Sequence, residues 1–379
     1  MGNKVLKGLA LAAAVIFAAG MGAQAPHPER VYLSGTGIDD TRTWDFYCTH
    51  GQNSGKWKKI EVPCNWELQG FGNYTYGRWY TVPGEKPSDE IGTYHHRFDV
   101  PKAWSGQRVK IFFDGVMTDV EVRVNGELAG EMHQGGFYRF DYDITDLLKF
   151  GRKNTLEVKV AKESANKSIN AAERKADWWL YGGIYRPVWL EVLPQVHVGH
   201  FTLNADAEGR LNVALEMEGD ASGYELVTSL TALKDGRVMT DLSGRTEVSH
   251  VIGNGEREQL FTSQWGSVRL WDTENPNLYV QTREFRVGFR TIEFFPQDGL
   301  YLNGVKLVVK GINRHSFSVD GGRATSAAMS RQDAMLIKEM NMNAVRSHYP
   351  PDEHFLDMCD SLGLVYLDEL AGWQDAYDS

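Results

Sequence analysis

Three short segments late in the 379-residue sequence place ionisable side chains directly after strand-like runs: Asn313-Arg314-His315, Arg346-Ser347-His348-Tyr349 and Asp368-Glu369. Histidines and carboxylates can hold hydroxyls or move protons, so the three together form a candidate active site. Asp368 and Glu369 resemble an acid/base pair by type. Neighbours on a strand point to opposite sides, however, and cannot both face one bond. The same argument removes His95-His96, within the strand-like residues 94–100, as a metal site. No CxxC or Cys/His spacing suggests zinc. Cys359 sits in an apolar helical pattern and reads as core, while Cys48 and Cys64 could bridge in an oxidising compartment.

The elements that must position these groups change character along the chain. From residue 30 to about 194, Val109/Ile111/Phe113, Val120/Val122/Val124, Leu156/Val158/Val160 and Val188/Leu190/Val192 alternate with other residues. Asn125-Gly126 marks a type I′ hairpin, so this stretch reads as a β-sandwich or jelly roll. Residues 163–177 interrupt it and are expected to form a long loop. A second all-β block, residues 196–290, alternates at Leu211/Val213/Leu215 and Leu226/Thr228/Leu230, with a turn at Asp235-Gly236. Its length fits an immunoglobulin-like sandwich acting as a spacer. After residue 290 come a hairpin at Asn303-Gly304 and a strand at 307–311. A capping box at Ser330-Arg331-Gln332-Asp333 opens a helix, followed by a strand at 344–346. A second helix is entered at Pro351 and capped by Gly363, and a third strand covers 364–367. Strand–helix–strand–helix–strand begins a parallel sheet, in which active-site groups sit at the C-terminal strand ends.

The N-terminus and composition set the compartment and exclude some partners. Lys4 and Lys7 precede the apolar run 8–20 (GLALAAAVIFAAG) and the small-residue stretch 21–25. Residues 1–25 therefore read as a secretory signal peptide, and the destination as periplasmic or extracellular. The run is short of the roughly 20 residues of a transmembrane anchor. A formal net charge of −10 with no basic stripe argues against nucleic acid. Eleven Trp and 16 Tyr, often beside Gly and Asn, suit the flat apolar faces of sugars.

Three segments, Lys310-Gly311-Ile312-Asn313-Arg314-His315, Asn343-Ala344-Val345-Arg346-Ser347-His348-Tyr349-Pro350 and Asp368-Glu369, together resemble glycoside hydrolase family 2, most familiar from β-galactosidases. Val62-Pro63-Cys64-Asn65-Trp66, Asp114-Gly115-Val116, Val124-Asn125-Gly126 and Gly182-Gly183-Ile184-Tyr185-Arg186-Pro187-Val188 resemble that family's sugar-binding domain. The resemblance implies a multidomain, mainly β chain. A jelly-roll sugar-binding sandwich (26–195) and an immunoglobulin-like sandwich (196–290) precede the first three β/α units of a TIM (β/α)8 barrel (291–379).

The same resemblance implies hydrolysis, with retention, of terminal non-reducing β-glycosidic bonds in an oligosaccharide or glycan. It makes His315 and His348 contacts to the sugar at the cleaved bond, and Asp177 a sandwich residue reaching a sugar hydroxyl and a sodium ion. Asp89 would touch substrate, and Arg314 and Arg346 would orient neighbouring carboxylates. Trp373 replaces a glutamate that holds magnesium in some β-galactosidases, so that site is expected to be absent, with Trp373 as a sugar-stacking wall. Ser347 alone separates Arg346 from His348, one residue fewer than the common form, which is expected to shift the histidine's reach. Retaining glycosidases need two carboxyl groups about 5–5.5 Å apart. In this family both lie on later strands, so none of the catalytic carboxylates is expected before Ser379, and the 379 residues are expected to be inactive alone. Homo-oligomer formation is left open for the full-length enzyme. Within the family, β-glucuronidase and β-mannosidase are the alternatives; outside it, a non-catalytic carbohydrate-binding protein or a structural adhesin.

Overall fold

The computed structural model describes residues 29–220, 226–228, 230–232, 246–248, 258–266, 268–281 and 285–372. The signal-like segment 1–25, the Asp235-Gly236 turn, Trp373 and Gln374 lie outside the described residues. Among the described residues no helix is long and apolar enough to cross a membrane. The chain divides into two compact units, one combining residues 28–195 with 309–379 and the other holding 196–308.

In the first unit, two antiparallel sheets face each other. One orders Glu29–Tyr32, Val188–Leu193, Arg108–Phe113 and Phe140–Asp143. The other orders His133–Gln134, Asp119–Val124, Arg152–Ala161, Ile91–Val100, Arg42–Cys48 and Lys58–Val62, with Glu127–Leu128 pairing at Asp119–Val124. Every alternating apolar residue expected to face inward in these strands is buried, from Val109, Ile111 and Phe113 to Val188, Leu190 and Val192. Asn125 and Gly126 both adopt positive φ, as a type I′ turn demands, and close the hairpin Val124↔Glu127. The unit also buries an ionic cluster. Lys162 Nζ reaches Glu67 at 2.8 Å and Glu90 at 3.2 Å, with all three side chains almost fully buried.

Two expectations fail in this unit. Cys48 and Cys64 are both buried and free, each packed into the apolar core, so no disulfide joins them. Residues 163–177 are not one loop. They contain the helix Lys167–Arg174, started by Asn166, whose side chain accepts from Ser168 N and Ile169 N.

The same unit carries three parallel strands, Gly311–Asn313, Ala344–Arg346 and Val365–Leu367, paired Asn313↔Arg346 and Arg346↔Leu367. The helices Ala327–Glu339 and Glu353–Leu362 pack on them through Ala334, Ile337, Phe355 and Cys359. Two boundaries depart from expectation. The first helix opens at Ser326, whose Oγ accepts from Met329 N, and not at Ser330, which is a buried helical residue. The first strand starts at Gly311; Val308 and Val309 before it are exposed, so residues 307–310 bury no strand face. Gly363 caps the second helix in the left-handed conformation expected of it.

Among its described residues the second unit is all β. His197–Ala205, Arg210–Glu218 and Glu258–Gln264 form one sheet, and Leu230–Ala232, Tyr279–Gln281 and Phe285–Val287 another. Leu211, Val213 and Leu215 lie in its core with Trp265 and Phe289. The hairpin at Asn303-Gly304 belongs to this unit.

Candidate substrate-binding site

His315 and His348 leave adjacent strands and meet. Their rings stack at 4.4 Å and 14°, despite the short spacing between Arg346 and His348. His315 Nδ1 lies 3.1 Å from the Tyr349 hydroxyl, and the Trp178 ring lies 5.9 Å away on the sandwich side. Tyr349 is held in turn by Phe137, stacked at 4.4 Å. Arg323 is buried with its guanidinium 4.3 Å from the Tyr349 ring centroid and 5.3 Å from that of Trp178. Its backbone N donates to Asn65 Oδ1 at 2.7 Å, so the Asn65 of the sandwich motif fixes this loop.

The surroundings of His315 disfavour a proton on its ring. Enclosure by these rings, then the repulsion a proton here would meet from His348, Arg323 and Arg346, pull its pKa down to about 4. His315 nevertheless remains exposed to solvent. Arg346 Nη1 is 3.5 Å from His348 Nε2, and its Nη2 pairs with Glu369. Arg314 places Nε and Nη2 on Asp333 at 2.9 and 2.7 Å, over the Phe355 ring. Both arginines therefore hold carboxylates.

The loop bearing His348 and Tyr349 is anchored from the sandwich. Arg186 donates to Asp352 at 2.8 Å and to Pro350 O at 2.9 Å, and Thr325 takes the other Asp352 oxygen at 2.7 Å. Burial works to raise Asp352, but the adjacent Arg186 holds it below the ordinary carboxylate range. Beside this anchor is a cleft of about 300 Å³, lined by Arg30, Arg139, Trp189, Asp352 and His354 and by neither site histidine.

Asp177 adjoins Trp178, and both its carboxylate oxygens accept from Arg78 Nη1, at 3.0 and 2.9 Å. A sodium ion there would compete with the guanidinium for the same oxygens. Among the described residues no group of three or more His, Cys, Asp or Glu could hold a metal. Asp89 is exposed and sits 3.3 Å from His50, whereas its neighbour Glu90 is buried.

Two family models match this chain. The one described as glycosyl hydrolases family 2, sugar binding domain, covers residues 37–194, and the family 2 TIM barrel domain covers 296–375. The chain belongs to glycosyl hydrolase family 2. A β-galactosidase of Thermoanaerobacter pseudethanolicus is 30% identical over 309 residues, 76% of this chain and 40% of that protein. A Bacteroides ovatus β-galactosidase is 29% identical over 363 residues, 87% of this chain and 40% of that protein. The crystal structure of Bacteroides uniformis β-glucuronidase aligns with TM-score 0.69 and 25% identity, over 91% of this chain and 42% of that one. The chain thus spans about two-fifths of the length of these relatives.

In this family 2 chain, Arg323, Trp178 and Phe137 are the site residues that the sequence does not single out. Phe137 and Tyr349 are more than 200 positions apart, and only folding stacks them. A signal for Arg323 was present in Gly321-Gly322-Arg323. Gly322 has φ +58°, and a Cβ there would sit 2.7 Å from Asn65 Oδ1, the same oxygen that accepts from Arg323 N.

Proposed function

We propose that this chain is the sugar-holding part of an exported, exo-acting retaining β-glycosidase, β-galactosidase-like in substrate. The observation that carries the reading is the stacked His315–His348 pair, at adjacent strand ends in a chain matched by the family's barrel model. His315 and His348 hold hydroxyls of the terminal sugar, with His315 as a neutral hydrogen-bonding group. Trp178 closes the sandwich side, and Asp177 binds a hydroxyl, or a sodium ion in exchange for Arg78. Asp89 and Trp373 are assigned further contacts to the substrate. Both catalytic carboxyl groups belong to later barrel strands. Export rests on the signal-like residues 1–25.

Nitrophenyl β-galactoside, β-glucuronide and β-mannoside test the longer protein, continued through a full barrel. Cleavage of the galactoside is expected, with His315→Ala and His348→Ala each lowering kcat/KM by about 10²–10³ as lost transition-state hydrogen bonds do. Failure to cleave all three sinks the hydrolase reading. Residues 1–379 alone are expected to turn over none of them.

A further inference from the structure

We infer that the exposed ring row Tyr74–Trp179–Tyr76 is a second carbohydrate subsite, taking the sugars that follow the terminal residue held at His315 and His348. The inference rests on the proposed glycosidase reading for its direction, but the row has its own geometry. Thr75–Tyr76 and Trp179–Leu180 pair as a two-stranded antiparallel ribbon, with Trp179 opposite Tyr76 and Leu180 opposite Thr75. Side chains alternate across a strand, so Leu180 turns inward and is buried, while Tyr74, Tyr76 and Trp179 share the outer face. An outer face ordinarily carries polar residues. Here three aromatic rings stand 41–48% exposed.

Trp179 meets Tyr76 at 5.3 Å and 74°, and Tyr74 at 6.1 Å and 82°, so the rings brace one another edge to face. Nearly half of each side chain stays open to solvent despite these contacts. The Tyr74 hydroxyl donates to Glu67 O at 3.2 Å. The ribbon continues through Gly77 N, which donates to Trp178 O at 2.8 Å, and a Cβ on Gly77 would lie 2.2 Å from Ala176 O. Such a close approach fixes the ribbon beside Trp178, the ring next to His315. A second route joins the row to the site. Tyr74 contacts Tyr181, and Tyr181 stacks at 5.8 Å on Phe317, two residues past His315.

The chemistry selects a sugar. A pyranose ring offers an apolar C–H face and a hydroxyl rim. The row offers flat aromatic faces, and the Arg78–Asp177 pair, itself about half exposed, offers planar hydrogen-bonding groups on the flank. Three rings are far short of the roughly 800 Å² per partner that a stable protein interface buries. The chain's net charge of −10 disfavours nucleic acid.

Calorimetric titration of the intact protein with a β-linked trisaccharide and with the corresponding monosaccharide tests the inference. Trp179→Ala and, separately, Tyr76→Ala are expected to weaken trisaccharide binding about tenfold, the loss of one well-placed ring contact. Monosaccharide affinity is expected to stay unchanged, which also shows that the variants are folded. Trisaccharide affinity equal to that of the unaltered protein in both variants overturns the subsite, as does failure of the unaltered protein to bind the trisaccharide. His315→Ala separates the two readings. If monosaccharide binding ignores it while Trp179→Ala still weakens the trisaccharide, the histidine site falls and the ring row stands.

Discussion

His315 owes its low proton affinity to what surrounds it. A proton on its ring would face His348 stacked at 4.4 Å and the guanidinium groups of Arg323 and Arg346. His348 Nε2 lies 3.5 Å from Arg346 Nη1, and its Nδ1 is buried without a hydrogen-bond partner among the described residues. NMR titration of the ring carbons is expected to show His315 neutral at pH 6, with a midpoint below 5; a midpoint at 6.5 or above contradicts this. The linked stability has a definite sign. The folded pKa lies below the unfolded value, so stability present above about pH 6.5 is lost as pH falls towards 4, while unfolded chains alone take the proton. The two histidines were legible as strand-end residues because the β/α pattern fixes where strands end. Their aromatic surround was not, since Trp178 and Phe137 arrive from the sandwich through long-range packing.

At the scale of elements, sequence reading succeeded where one apolar period dominated and failed where it did not. The helix Lys167–Arg174 was missed because its buried residues are Glu173 and Arg174, so no apolar stripe marks it. Val308 and Val309 misled in the opposite sense, being apolar yet exposed. The Ser330-x-x-Asp333 spacing matches a capping box, but Ser326 has the extended backbone and makes the side-chain bond that defines the cap. Ser326→Ala is therefore expected to cost about 1 kcal/mol in urea denaturation. Ser330→Ala, which removes an Oγ 2.8 Å from His354 Nδ1, is expected to leave amide exchange at the helix start unchanged. Faster exchange at Met329 in Ser330→Ala, and not in Ser326→Ala, would restore the capping-box assignment.

At the scale of the whole molecule, the buried Lys162–Glu67–Glu90 cluster is a costly place to remove a charge. Lys162→Met keeps the side-chain bulk but leaves two buried carboxyl groups without their counter-ion. It is expected to destabilise the first unit by about 3–5 kcal/mol in urea denaturation. A loss below 1 kcal/mol would mean that the carboxyls are already neutral or reach water. The alternating strands were plain in the sequence; the cluster was not, because Glu67, Glu90 and Lys162 are far apart in the chain. The Arg186–Asp352 pair has a comparable reach. It ties the sandwich to the loop that carries His348 and Tyr349, and Thr325 completes the tie from the neighbouring loop. The sandwich is thus a jig for the barrel's mouth as well as a binding module. Recombination that exchanged one without the other would separate the histidine's loop from the arginine that aims it, so the two modules are best inherited as a matched pair.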